Sequence, residues 1–238
     1  MLVRPRNPLN IGAAARAMSN FGASTLRLVN PYAVAFREAR SAVGAHDLLK
    51  SAEEFSTIAE AVADCTLVVG TTAVRNRALQ HPLHQLDLKA GSIIRKQLRT
   101  DRVALLFGSE KIGLTNEDFS YCHWLLHVPT QEKHISMNLA QTVVVCLYEL
   151  ARNTSTKAES KPKKSSVTLA TAGDNEQIIE ALLEALHKSG YVKPGNDAVS
   201  EKKVRRLILR LKLDEMDAKV LLGMIRQIVW KLRRESVS

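Results

Sequence analysis

Over roughly the first 150 residues, short β-branched or apolar runs alternate with stretches whose apolar positions recur at helical spacing. The runs predict strands at 25–29, 66–69, 103–107 and 124–128, with a short one at 2–4. The stretches between them predict helices at 10–21, 53–63, 92–99, 115–121 and 137–152. Strands joined through helices are parallel neighbours, and their crossovers cover both faces of the sheet. The pattern therefore predicts a mainly parallel α/β sheet buried on both sides.

The pattern breaks at Asn153. The run from Asn153 to Ser166 is polar, basic and nearly free of large apolar groups, so it cannot bury enough surface to order itself. A flexible linker is expected over 153–173. Helical periodicity then resumes in three stripes: Ile178, Ile179, Leu182, Leu183 and Leu186; Val204, Leu207, Ile208 and Leu211; and Val220, Leu221, Met224, Ile225, Ile228 and Val229. These predict a small three-helix domain over 174–238, following a larger domain over 1–152. Its polar faces carry Lys202, Lys203, Arg205, Arg206, Arg210, Lys212, Lys231, Arg233 and Arg234.

Charge narrows the choice of partner. The chain carries a net +10, which points to a polyanion, either nucleic acid or an anionic membrane surface. The residues after Arg152 hold 17 basic and 11 acidic side chains, +6 of that total, in little more than a third of the length. A basic tail of this kind suits a phosphate backbone. No apolar run approaches the roughly 18–20 residues that cross a bilayer, and the start lacks the layout of a secretory signal. A cytoplasmic protein is the expectation. Three widely spaced cysteines, Cys65, Cys122 and Cys146, and seven histidines without a ligand-type spacing predict neither a disulfide framework nor a metal site.

Three segments carry candidate chemistry. The first, 7–22, joins a turn, a cap-competent asparagine and an alanine-rich helix closed by Gly22, with Arg16 its only charge. Taken alone it reads as a tightly packed helix with one exposed arginine. The second, 103–115, runs from a buried strand into a turn where Gly108 and Gly113 let backbone approach a ligand closely. It is neither a phosphate-binding P-loop nor a G-x-G-x-x-G dinucleotide turn. In the third, 128–141, a strand ends at Pro129, a polar loop follows, and Ser136 is the expected N-cap of a long apolar helix. Asn138 in that helix's first turn has no explanation in helix propensity.

In this order and register the segments resemble the three motifs of the TrmH family of SPOUT methyltransferases. Residues 10–22 resemble motif one, 107–114 motif two and 128–141 motif three; 69–73 and 148–150 are similar to the family as well. The linker and three-helix tail look like its TrmJ group, which methylates the ribose at position 32 of the tRNA anticodon loop. The first strand is shorter than the family's, and Met137 stands where leucine is usual, a volume-similar exchange. The resemblance implies a SPOUT-type parallel sheet with a deep C-terminal trefoil knot, which no topology rule would propose. It implies S-adenosylmethionine as cofactor, held by Thr71, Thr72, Ala73, Gly108, Gly113, Leu114, Val128, Ile135, Ser136 and Met137, and no metal. It also implies a homodimer acting on tRNA, with Arg16 as the main catalytic residue and Ser136, Asn138, Asn10 and Glu110 completing the site.

A guanidinium gives up its proton only with great difficulty. Arg16 is therefore better suited to grip the phosphate beside the target ribose bidentately than to act as a base. Other readings are a relative acting on ribosomal RNA or on another tRNA position, and a non-catalytic RNA-binding protein. Against the latter stand Arg16, Glu110, Ser136 and Asn138, all present. A nucleotide enzyme of doubly wound type lacks its glycine fingerprint.

Overall fold

The computed structural model describes residues 1–33, 45–73, 80–152, 168–193 and 195–235. The chain opens in a buried strand, β1 (Leu2–Val3), and enters α1 (Pro8–Asn20) after a short connection. Asn7 caps this helix: its side chain accepts the Leu9 amide at 2.9 Å, with Pro8 supplying a preset φ at the first position. Gly22, at φ +73°, turns the chain away at the far end.

β2 (Arg27–Val29) lies between β1 and β3 (Glu53–Phe55), all parallel. The expected helix over 53–63 is thus strand first, then the short α3 (Ile58–Val62). The cause is local. Glu53 leaves its helix role to hold the buried Arg27 guanidinium at 2.8 Å, and a Thr57–Glu60 capping box starts the helix only at Ile58. A short helix not expected from the sequence, α2 (His46–Lys50), precedes β3.

The remaining strands are β4 (Leu67–Thr72), β5 (Leu83–Gln85), β6 (Val103–Leu106) and β7 (Trp124–His127). They form a parallel sheet in the order β5-β7-β4-β6. β5 was not expected: Leu83 and Gln85 are exposed, so no apolar alternation marks it. The two sheets meet where Leu2 bridges Phe107 in parallel, with Val3 N donating to Phe107 O at 2.8 Å and Phe107 N to Met1 O at 3.0 Å. β7, the last strand made, lies between the earlier β4 and β5.

The helices that follow these strands are α4 (Leu88–Leu98), begun by Asp87 accepting the Ala90 amide, α5 (Asn116–Ser120) and α6 (Leu139–Ala151). Successive strand residues feed opposite faces. Leu2, Leu28, Val69 and Leu126 pack with Ile11, Met18, Ile94 and Val143, while Val3, Val29, Val68 and Leu125 pack with Ile58, Val62, Phe119 and Cys122. This is the two-sided burial that a parallel sheet requires. All three cysteines are free and buried.

Most of the expected linker, 153–167, lies outside the described residues. Its last residues are packed: Ala170 is buried, Leu169 bridges Asp214, and a Thr171–Asp174 capping box starts α7 (Ala172–Lys188). α8 (Asp197–Leu211) and α9 (Glu215–Glu235) follow. Ile178, Ile179, Val204, Ile208, Ala218, Ile225 and Val229 make their common core. This unit is fastened to the sheet layer by Ala172 N to Cys65 O at 2.7 Å and Gly173 N to Ala63 O at 2.9 Å. Arg205, buried on α8, ion-pairs with Glu176 and Glu201 and stacks on the Tyr121 ring at 4.2 Å.

Candidate functional site

β4, β6 and β7 are parallel neighbours, so the segments following them emerge at one edge of the sheet. In open α/β sheets this carboxyl edge, where the chain has run to both sides of a central strand, forms the ligand-binding crevice. Three expected cofactor segments lie there: Thr71, Thr72 and Ala73 at the end of β4, 108–114 after β6, and 128–137 after β7. Thr71 Oγ1 donates to Leu106 O at 2.9 Å, tying the first to the second.

The turn after β6 is fixed by glycine geometry. A Cβ on Gly108 would sit 2.0 Å from the Gly113 carbonyl carbon and 2.1 Å from Leu114 N, while Gly113 takes φ +68°. Gly113 N closes the loop onto Ser109 O at 2.8 Å. Leu114 points its side chain into the core beside Cys122 and Leu125, so it can offer a ligand only backbone. Beyond it, Thr115 and Asp118 cap α5 reciprocally, and Asp118 pairs with both Arg4 nitrogens.

Glu110 projects from this turn toward the start of α1. Its carboxylate accepts Arg6 N, Asn7 N and Asn10 Nδ2, each at 3.1 Å. Burial pushes its pKa up, but the hydrogen bonds from Asn10 and the backbone amides outweigh that and hold it below the ordinary carboxylate value.

The third segment joins the same cluster through Asn138. Its Oδ1 accepts Ala140 N at 2.8 Å, and Asn138, not Ser136, is the N-cap of α6. Its Nδ2 donates to Asn10 Oδ1 at 3.0 Å. Asn10, Glu110 and Asn138, one from each segment, thus form a single polar relay. The capping role of Asn138 was legible only as an asparagine misplaced inside a helix.

The other expected residues are placed differently. Arg16 stands on the solvent face of α1 with Leu9 and Ala13, and makes no hydrogen bond or ion pair among the described residues. Ser136 is exposed, and Ile135 and Met137 are half-buried beside it. Val128 is half-buried against the core that contains Leu126. Sequence reading did not single out Thr130, whose buried Oγ1 has no hydrogen-bond partner among the described residues. Arg6 and Asn7 were missed because their contribution is backbone amide. Among the described residues no group of three or more side chains could hold a metal ion, and no helix is long and apolar enough to cross a membrane.

Residues 1–148 match the SpoU rRNA Methylase family. The chain is 32% identical over 231 residues to a tRNA (cytidine/uridine-2'-O-)-methyltransferase, TrmJ, of Sodalis glossinidius, covering 96% of this chain and 89% of that protein. The crystal structure of TrmJ from Z. mobilis ZM4 superposes with a TM-score of 0.81 at 33% identity, over 95% of this chain and 96% of that one. A probable methylase family protein from Haemophilus influenzae aligns over 100% and 97% of the two chains, with a TM-score of 0.58 at 27% identity.

Proposed function

The chain belongs to the SpoU rRNA methylase family, and from that premise we propose that it transfers a methyl group from S-adenosylmethionine to a ribose 2′-hydroxyl of tRNA, at position 32 of the anticodon loop. It is a methyltransferase; the substrate and position are our reading. The observation that carries it is the relay of Asn10, Glu110 and Asn138, assembled from three distant segments at the carboxyl edge of the sheet.

The residues present fit an adenosyl cofactor. The loops at 71–73, 108–113 and 128–137 offer backbone groups around a crevice, and the buried Thr130 Oγ1 is a polar atom without a partner among the described residues. Val128 would face the adenine, with Gly108 and Gly113 allowing close backbone approach. When bound, the cofactor supplies an electrophilic methyl on its sulfonium.

A ribose hydroxyl is a weak nucleophile near neutral pH, so in-line placement supplies much of the acceleration. Arg16 grips the adjacent phosphate and fixes the ribose, a task its exposed guanidinium suits, since it has no hydrogen-bond or ion-pair partner among the described residues. Asn138 and Ser136 shape the hydroxyl side, while Asn10 and Glu110 hold the start of α1 against the motif-two turn.

The active enzyme is a homodimer in the cytoplasm, where tRNA is found. Leu9, 78% exposed on α1, and Val144 and Tyr148 on the adjoining α6 form an apolar face suited to a second copy. That face also carries Arg16, so each arginine would serve a site completed by the other protomer. Residues 1–152 form the catalytic domain, with β7 between β4 and β5 as the strand order expected of the trefoil knot. The basic helices over 174–238 form a second domain that contacts the tRNA backbone.

The test is transfer of tritiated methyl from S-adenosylmethionine to unmodified tRNA transcripts, followed by mapping of the ribose label. Label at position 32 supports the whole reading. Label at another position or only on ribosomal RNA keeps the chemistry and rejects the substrate. No transfer to any RNA rejects the catalytic assignment.

A further inference from the structure

α9 buries one side against α7 through Ala218, Ile225 and Val229. Its other side is apolar as well. Met216, Val220, Met224 and Ile228, spaced four apart, are 68%, 53%, 60% and 54% exposed. Side chains at this spacing form one continuous ridge on a helix, the kind that packs into the groove of a neighbouring helix. Gly223, beside Met224, has open space where a Cβ would be, so a crossing helix can approach closely at this point. No described element covers the ridge.

On this side of the helix one acid and one base stand seven residues to either side of Met224, Asp217 before it and Lys231 after it. Glu215 pairs instead with Lys219, and Arg233 turns to Glu184 of α7. Two copies of α9 laid antiparallel and crossing at Met224 bring opposite signs together. Residues equally far before and after 224 then face each other: Val220 meets Ile228 of the second copy, and Asp217 meets Lys231 of the second copy. A parallel pairing would instead set acid against acid and base against base. The ridge and its flanking charges are therefore self-complementary under a two-fold axis, as an isologous interface requires.

We propose that α9 is a self-association site, through which the helical tails of two copies of this chain pair antiparallel about Met224. The contact is separate from the α1–α6 face and does not depend on the methyl-transfer reading, since both its residues and its readout lie in the tail.

The three native cysteines are buried, so a single exposed thiol can report the pairing. Met224→Cys, in the full chain under mild oxidation, should yield a disulfide-linked dimer on a denaturing gel. Ser189→Cys, exposed at the end of α7, should not. In the Met224→Cys background, Asp217→Lys should lower the yield by about tenfold, and the exchange Asp217→Lys with Lys231→Asp should restore it. Equal cross-linking of Met224→Cys and Ser189→Cys, or none at Met224→Cys, overturns the proposal. If cross-linking is absent and Met224→Asp weakens tRNA binding, the ridge belongs to RNA instead.

Discussion

Glu110 and Asn10 stand 100 residues apart in the chain and meet in a 3.1 Å hydrogen bond from the asparagine amide to the carboxylate. The same carboxylate oxygen accepts Asn7 N, and its twin accepts Arg6 N. Only an ionised carboxylate satisfies all three donors. Glu110→Gln must turn an NH2 group toward at least one of them, at a cost of about 2 kcal/mol to the local structure. Its kcat/KM should fall by at least about tenfold, since the start of α1 loses its tie to the motif-two turn. Because the Glu110 pKa is held below its unfolded value, its contribution is complete above the unfolded pKa and is lost as pH falls through the folded one. An Glu110→Gln enzyme with wild-type kcat/KM would remove the relay from the site.

Arg16 carries its charge on an exposed helix face, with no hydrogen bond or ion pair among the described residues. Arg16→Lys keeps the charge but loses the planar fork that holds a phosphate bidentately. Activity should drop by about a hundredfold or more, while cofactor affinity by isothermal titration stays within about twofold, as α1 contributes nothing to the cofactor segments. Near-normal turnover would end the phosphate-clamp role.

His123 links β7 to β4, with Val68 N donating to its Nδ1 at 3.1 Å. Burial, aided by the Lys212 charge, lowers its pKa to about 4. The folded pKa lies below the unfolded one, so the unfolded chain binds the proton first. Stability should therefore decline as pH falls from about 6.5 to about 4, by at most roughly 3 kcal/mol. His123→Phe should be less stable at neutral pH, with the Val68 amide unpaired, and its urea midpoint should vary less across that window. An unchanged pH slope in the variant would place the acid sensitivity elsewhere.

Gly108→Ala tests the motif-two turn. The added methyl would meet backbone at 2.0 Å, where no side-chain rotation relieves it. A loss of about 3 kcal/mol or more in denaturant stability is expected, together with loss of cofactor binding. The neighbouring Lys111→Ala, on an exposed residue of the same turn, should change stability by less than about 0.5 kcal/mol.

Arg205 is the polar anchor between the tail and the sheet layer, pairing with Glu176 and Glu201 and touching Ser120 Oγ at 3.4 Å. Arg205→Met strands Glu176 without its partner and should cost roughly 3 kcal/mol. Limited proteolysis should then cut after Arg152 faster than in the wild type. A wild-type digestion rate would mean that the backbone bonds at Ala172 and Gly173 suffice to seat the tail.

Several parts of the architecture were legible in the residues because burial repeats along them. Leu28–Val29, Val68–Val69 and Leu125–Leu126 each feed both faces of the sheet, and two-sided burial writes itself as an apolar run. β3 was illegible for the opposite reason. Glu53 and Glu54 are exposed, and the pairing of Glu53 with Arg27 depends on a residue 26 positions away. The choice between Ser136 and Asn138 as cap shows the same limit. Either residue can cap a helix, and what separates them is the reach of Asn138 Nδ2 to Asn10, 128 residues earlier. Arg16 could be found as the odd charge in an alanine helix, but its task cannot be read from a side chain with no hydrogen bond or ion pair among the described residues.

β7 enters the sheet between two strands made before it. A nascent chain emerging from the ribosome can therefore form β1 to β6 and still lack the middle of its second sheet, whose central seam closes only after residue 127 has been synthesised. The relay closes later still, since Asn138 is the last of its members to appear. A product of translation that ends before Asn138 therefore lacks the closing member of the relay, however much of the sheet it has formed.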